Sequence, residues 1–257
     1  MVTYLLKKSY QHKDLKEVIF KDLWNSHGLF TTTWIFGRPP KILFFKTHIN
    51  NLIKSLKIYN LKKKYIEKNI HKLIKTNVDK DFSYNHLLRI ALNNKLISIS
   101  LRKKIKTKSK FNLKLINYKR IRPEFKNLKY KKILKHLSTI DMSLSDIGLI
   151  VENKILESAT SNLLFVSNNK IYSPINKFYK GTTFKFFEKK VGKIIKKNIY
   201  IKSLSIYDEI ILIGSGKGVV SVNIIEKPFW RRKSSKMYRY LSKIYSDAVT
   251  NCPRYNG

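Results

Sequence analysis

Apolar and polar positions alternate with two different periods along this chain. Leu29–Phe36 (LFTTTWIF) is dense in β-branched and aromatic residues and reads as a strand. Gly37, Arg38, Pro39 and Pro40 follow as a turn, and Lys41–Phe45 reads as a second strand. Ile49, Leu52, Ile53, Leu56 and Tyr59 fall at helical spacing, which predicts a helix over His48–Tyr59. Tyr65–Ile74 predicts another. Leu87–Leu92, Leu96–Leu101 and Phe111–Ile116 read as strands.

The pattern changes around Arg120–Glu124, where Pro123 interrupts it. A helix of about five turns is expected over Phe125–Ser143, then short strands at Ile147–Val151, Leu163–Val166 and Lys170–Tyr172. Thr182–Lys197 predicts a helix opened by Thr182 and Thr183. Glu209–Ile213 predicts a strand that ends in Gly214-Ser215-Gly216, and Met237–Val249 a closing helix. The expectation is an α+β / α/β chain of two domains, 1–118 and 119–257.

Length and composition fit that picture. The chain has 257 residues, 43% of them hydrophobic, enough for a real core. Its single Cys, Cys252, rules out an intrachain disulfide framework and a Cys-rich zinc site. No metal site is expected. No apolar run approaches the roughly 18 residues of a membrane span, and the first residues lack the apolar core of a secretory signal. A cytoplasmic protein is expected.

Charge adds one complication. Lys+Arg is 54 against Asp+Glu 16, a balance of +38. Such a balance first suggests nucleic acid. The cations are dispersed, however, and Lys, Asn and Ile are abundant together, as an A/T-biased genome would make them. The densest stretch, Arg102–Lys110, reads as a solvated hairpin. Nucleic acid is therefore not the expected partner, whereas a positive field attracts small anions.

The chemistry concentrates in a few places. Glu157 sits among small polar residues (ESATSN) just before the apolar Leu163–Phe165. Lys126 stands upstream, at the start of the expected helix. Two turns without bulky side chains follow: Gly181-Thr182-Thr183 and Gly214-Ser215-Gly216-Lys217-Gly218. Both offer backbone N–H groups to an anion, and the first also opens a helix. Singly, each piece is an ordinary surface lysine, turn carboxylate or tight turn.

In their order and spacing these pieces resemble the class IV aminotransferase family, the fold type IV pyridoxal-phosphate (PLP) enzymes. The likeness runs from about His27 to Glu226. It is strongest over Ile155–Gly181 and weaker over Leu29–Leu52, where a strand leads to a His-led helix. The resemblance implies a two-domain, D-amino acid aminotransferase-like fold with PLP at the domain junction, the C-terminal domain binding the cofactor, usually in a homodimer. Lys126 matches the lysine that holds the cofactor covalently, and Glu157 the carboxylate facing the pyridine nitrogen. Thr182, Thr183, Ser215 and Gly216 match positions that hold the phosphate or approach a substrate carboxylate. Tyr179 falls where the family packs a side chain on the ring.

Three places depart from the family pattern. Asn51 replaces an arginine that pairs with the phosphate, with Lys54 one turn on as a substitute cation. Phe184 replaces a second arginine, and Asn93-Asn94 an Arg-Gly pair.

Within the family the resemblance is closest to 4-amino-4-deoxychorismate lyase. The chain is short, Phe30-Thr31-Thr32 resembles the lyase strand, and the Gly214–Val220 stretch is unlike that of branched-chain enzymes. The implied reaction forms 4-aminobenzoate, a folate precursor, and pyruvate. Thr31, Arg89, Gly216 and Lys217 are the candidates that contact a small anionic substrate, and Tyr130 one that orients Lys126. The alternatives are a branched-chain or D-amino acid aminotransferase and, more remotely, a catalytically dead basic binding protein.

Overall fold

A computed structural model of the chain describes residues 3–61 and 64–256. The chain divides into two compact units. The first is built from the described residues of Met1–Lys104, Phe125–Lys131 and Asn251–Gly257, the second from Ile105–Glu124 and Lys132–Thr250.

The first unit contains β1 (Tyr4–Gln11), β2 (Glu17–Val18), β3 (Gly28–Gly37), β4 (Lys41–Ile42), α1 (Phe45–Ile58), α2 (Ile66–Asn77), β5 (Tyr84–Asn93) and β6 (Leu96–Lys103). The strands form one antiparallel sheet in the order β2-β1-β6-β5-β3-β4. On α1, His48, Ile49, Leu52 and Leu56 recur at helical spacing and are buried. They meet a sheet face carrying Leu29, Ile35, Leu88, Ile90 and Ile99, and this is the unit's apolar core. Burying each such aliphatic side chain contributes about 1.5–3 kcal/mol.

Strand alternation sorts β3. Thr31, Thr33 and Ile35 point to the helices; Phe30, Thr32 and Trp34 point the other way. At Gly28 an added Cβ would lie 2.2 Å from the Leu92 carbonyl oxygen, so only glycine fits between β3 and β5 there.

The second unit contains β7 (Phe111–Asn117), most of the short α3 (Lys131–Leu137), β8 (Ser145–Val151), β9 (Lys154–Ser158), β10 (Asn162–Ser167), β11 (Lys170–Ser173), α4 (Thr182–Lys190), β12 (Ile194–Lys196), a 3-10 turn (Ile201–Ile206), β13 (Glu209–Gly214), β14 (Gly218–Ile225), β15 (Trp230–Arg231) and α5 (Lys236–Thr250). Its mixed sheet runs β12-β11-β10-β13-β14-β7-β8-β9, with β15 on β14. Phe111, Phe165, Ile210, Leu212 and Val222 are among its core residues. The expected mixture of mixed sheets and helices is present.

Several elements depart from the sequence pattern. The five-turn helix over Phe125–Ser143 is replaced by α3, seven residues long. Lys126 is extended, not helical. Phe30 N donates to Lys126 O at 2.9 Å and Leu128 N to Gly28 O at 2.9 Å. Leu29 and Asn127 form an antiparallel bridge on the edge of β3, and this pairing overrides local helical spacing. The helix expected to Lys197 stops at Lys190. Gly192, at φ +74, leaves the helical conformation, and Ile194–Lys196 then pairs with β11. The strand expected over Lys41–Phe45 ends at Ile42, because Phe44 turns left-handed (φ 55) and α1 begins at Phe45. Arg102–Lys110 is no hairpin: β6 and β7 lie in different sheets.

Candidate functional site

The extended segment at Lys126 determines what its side chain can reach within the first unit. The Leu29–Asn127 bridge sets Lys126 opposite Phe30, so both side chains stand on one face. The Lys126 ammonium lies 5.2 Å from the Phe30 ring centroid. Across β3, Phe30 pairs with Ala91 and Thr32 with Arg89, and on β6 Arg102 pairs with Leu87. The same alternation therefore puts Lys126, Phe30, Thr32, Arg89 and Arg102 on one face of the sheet.

Arg89 is 8% exposed. Its guanidinium lies 3.7 Å from the Trp24 ring centroid and 5.4 Å from that of Phe30. Nη2 donates to the Asp22 carbonyl oxygen at 2.7 Å, and Nη1 faces the Asp22 carboxylate at 3.6 Å. Trp24 also stacks on Tyr130 at 5.8 Å. Burial pulls the Arg89 guanidinium down to about 10, opposed by Asp22. It stays charged at neutral pH.

Thr31 lies on the other face. Its hydroxyl is 2.8 Å from Nδ1 of His48, on α1, and both residues are buried. Burial, and secondarily the Lys126 charge, push His48 down to about 3, so the imidazole is neutral. Asn51 is half-buried one turn further along α1, and Lys54 is exposed.

In the second unit Glu157, next to last in β9, is a buried carboxylate. Arg120 Nη1 donates to its Oε1 at 2.7 Å, and Tyr179 N donates to Oε2 at 3.3 Å. The chain of bonds continues through Tyr179. Asn162 Nδ2 donates to the Tyr179 carbonyl at 2.6 Å, and Gly181 N donates to Asn162 Oδ1 at 3.1 Å. Glu157 is thereby tied, bond by bond, to the residue that opens α4. A Cβ at Gly181 would sit 2.9 Å from Asn162 Oδ1, so a side chain there would displace the Asn162 amide from its bond to Gly181 N. Burial pushes the Tyr179 phenol up to about 12, with Arg120 opposing.

At the start of α4, Thr182 and Thr183 are buried. Gly181 is the N-cap, no side-chain cap bond closes it among the described residues, and no acid lies in the first turn. Thr183 Oγ1 is 3.3 Å from Ser215 Oγ. This combination of hydroxyls and a helix N-terminus suits a phosphate.

Gly216 is half-buried beside Ser215. Lys217 points inward: its ammonium lies 3.4 Å from Oδ2 of the fully buried Asp146 and 4.6 Å from the Phe111 ring centroid. The same Asp146 oxygen accepts from Ser158 Oγ at 3.0 Å and from Thr160 Oγ1 at 2.6 Å. Asp146 therefore joins the Ser215–Lys217 turn to the Glu157–Asn162 block.

The structure thus groups Lys126 with Arg89 in the first unit, with Thr31 and Asn51 toward α1. In the second it groups Glu157, Thr182, Thr183, Ser215, Gly216 and Lys217. Sequence reasoning missed Arg120, Asp146, His48 as a buried partner of Thr31, and Arg102. Only His48 carried a signal, as the residue leading its helix. The others are lone charged residues whose partners are distant in sequence.

Comparison with known proteins bears on the family and the fold. The family model for amino-transferase class IV matches residues 28–225. No curated protein matches the chain by sequence. Among solved structures, the branched-chain amino acid aminotransferase of T.th. complexed with N-(5'-phosphopyridoxyl)-L-glutamate is 14% identical, with a TM-score of 0.74 over 97% of this chain and 95% of that one. The branched-chain aminotransferase of Thermoproteus uzoniensis with norvaline is also 14% identical, with a TM-score of 0.73 over 93% of each chain. A candidate 4-amino-4-deoxychorismate lyase of Legionella pneumophila is 18% identical, with a TM-score of 0.68 over 86% of this chain and 91% of that one. At these identities the likeness establishes the fold. With the family model spanning most of its length, the chain belongs to the class IV aminotransferase family of pyridoxal-phosphate-dependent enzymes.

Proposed function

We propose that this chain is a 4-amino-4-deoxychorismate lyase, forming 4-aminobenzoate and pyruvate, and that it acts as a cytoplasmic homodimer. The observation that carries the reading is the sheet face on which Lys126, Phe30, Arg89 and Arg102 stand together. An amine, an aromatic surface and two guanidinium groups suit a six-membered ring with one carboxylate on the ring and another on its enolpyruvyl group.

The described residues fit the family's cofactor. Thr183, Ser215 and the start of α4 would hold its phosphate, with Thr182 beside them and Asn51 lending a hydrogen bond instead of a charge. Glu157, fixed by Arg120 and Tyr179, would face the ring nitrogen. Lys126 would hold the cofactor covalently. When bound, pyridoxal phosphate supplies an electron sink for the substrate carbon that bears nitrogen.

The remaining work belongs to the chain's side chains. Lys126, as a free amine, takes the proton from that carbon. The carbon–oxygen bond to the enolpyruvyl group breaks, its electrons leave with oxygen, and the ring becomes aromatic. Lys126 returns the proton to the methylene carbon of the departing enolate, giving pyruvate. Arg89 holds the ring carboxylate and the Gly216 backbone helps shape the substrate site, whereas Thr31, turned toward His48 on the opposite face of the sheet, takes no part in it. Lys217, already paired with Asp146, keeps the Ser215–Gly216 turn in place.

Supplying 4-amino-4-deoxychorismate with the cofactor and assaying both products tests this. Pyruvate and 4-aminobenzoate in equal amounts are expected. Turnover only with an amino acid plus 2-oxoglutarate would make the chain an aminotransferase. Borohydride reduction followed by peptide mass analysis should place the trapped cofactor on Lys126. Salt-sensitive nucleic-acid binding with no cofactor retained would point to a non-catalytic binding protein.

A further inference from the structure

We propose that Asp22 is an internal stand-in for a substrate carboxylate: it rests on Arg89 and yields that place when substrate arrives. The inference rests on the reading above, in which Arg89 receives a substrate carboxylate.

The contact between the two has the form of a displaceable one. At 3.6 Å, Nη1 of Arg89 and the Asp22 carboxylate are farther apart than the roughly 2.7–2.9 Å of a charge-assisted hydrogen bond. The Asp22 side chain is 48% exposed, that of Arg89 only 10%. One partner is therefore fixed in the sheet and the other is in contact with water. Exposed partners of this kind hold weakly.

Arg89 also has bonding capacity left over. Its Nε is buried and has no hydrogen-bond partner among the described residues. The stack on Trp24 fixes the guanidinium plane, so its fork is oriented in advance. A carboxylate that comes within hydrogen-bond distance of Nη1 gains a charge-assisted pairing that Asp22, at 3.6 Å, does not make. The Asp22 carbonyl, which accepts from Nη2 at 2.7 Å, keeps the loop in place while the side chain swings away. Arg102, on the same face, adds to the pull on an arriving anion.

The stand-in has a selective consequence. A ligand without a carboxylate cannot displace Asp22 from Arg89 and meets a neutralised site. A carboxylated ring exchanges one anion for another, and Arg89 is never left as a bare buried charge.

The test uses the full-length protein with its cofactor and benzoate as the probe. Benzoate binding is followed by Trp fluorescence, with Trp24→Phe identifying the reporting residue. Asp22→Asn removes the competing charge, so benzoate should bind about threefold or more tightly, and KM for 4-amino-4-deoxychorismate should fall by a similar factor with kcat little changed. In an Arg89→Met background Asp22→Asn should change neither quantity. Arg89→Gln, which is neutral but can still donate to the Asp22 carbonyl oxygen, serves should Arg89→Met not fold. Unchanged benzoate affinity in Asp22→Asn overturns the proposal, and so does the same gain with Arg89 absent. Tighter benzoate binding without any lyase turnover would sink the reaction assignment and leave the stand-in standing. Turnover with unaltered KM and benzoate affinity would do the reverse.

Discussion

Arg120 donates to Glu157 at 2.7 Å, and both side chains are buried. Two charges removed from water compensate each other only while both remain. Arg120→Met should therefore cost about 3–5 kcal/mol of stability in urea unfolding. Adding Glu157→Leu should recover part of that loss. A cost below about 1 kcal/mol, typical of an exposed pair, would contradict this.

His48 gives the first unit a pH dependence. Its proton affinity is lowered to about 3 in the fold, chiefly by burial, against about 6.5 in an unfolded chain. Between these values the unfolded chain binds a proton that the folded chain does not, so acid favours unfolding. The contribution is complete above about pH 6.5 and is lost toward pH 3, at up to about 1.4 kcal/mol per unit. The stability advantage of the natural chain over His48→Gln should shrink steadily on acidification. An advantage independent of pH would argue against a neutral buried imidazole.

Thr183 and Ser215 make a testable pair. Replacing either Thr183 by Val or Ser215 by Ala should weaken pyridoxal 5'-phosphate binding roughly tenfold, the effect of one lost hydrogen bond to a charged group. Because the hydroxyls are 3.3 Å apart, the double variant should lose less than the product of the two. Titration of the cofactor-free protein, followed by visible absorbance, reads this directly. Full additivity would mean that the two hydroxyls serve different ligand groups.

Lys217 is expected to act on the fold before it acts on substrate. Lys217→Met leaves Asp146 buried without its cation, at a cost of about 3–5 kcal/mol. Asp146→Asn in the same chain should restore part of that stability. Thermal unfolding of the single and double variants measures the difference. If Lys217→Met is as stable as the natural chain but binds substrate poorly, the lysine is a substrate ligand instead.

What the sequence carried by itself was local. Strand β3 could be read from β-branched and aromatic density, and α1 from Ile49, Leu52 and Leu56, because side chains on one element obey that element's own period. The Glu157 block and the two glycine turns were legible for the same reason: their residues are consecutive. The family followed from their order.

Tertiary structure decided the rest. Phe125–Tyr130 has helical spacing, yet the edge of β3 offered it backbone hydrogen bonds that its own spacing could not foretell. That pairing aims Lys126 at Phe30. Alternation along the same strand turned Thr31 toward His48 and away from Lys126. Arg120, Asp146 and Asp22 gained their meaning from partners 12 to 71 residues away. A buried charge is stable only with an opposite charge or a donor beside it, and a linear sequence does not state which residue will stand there.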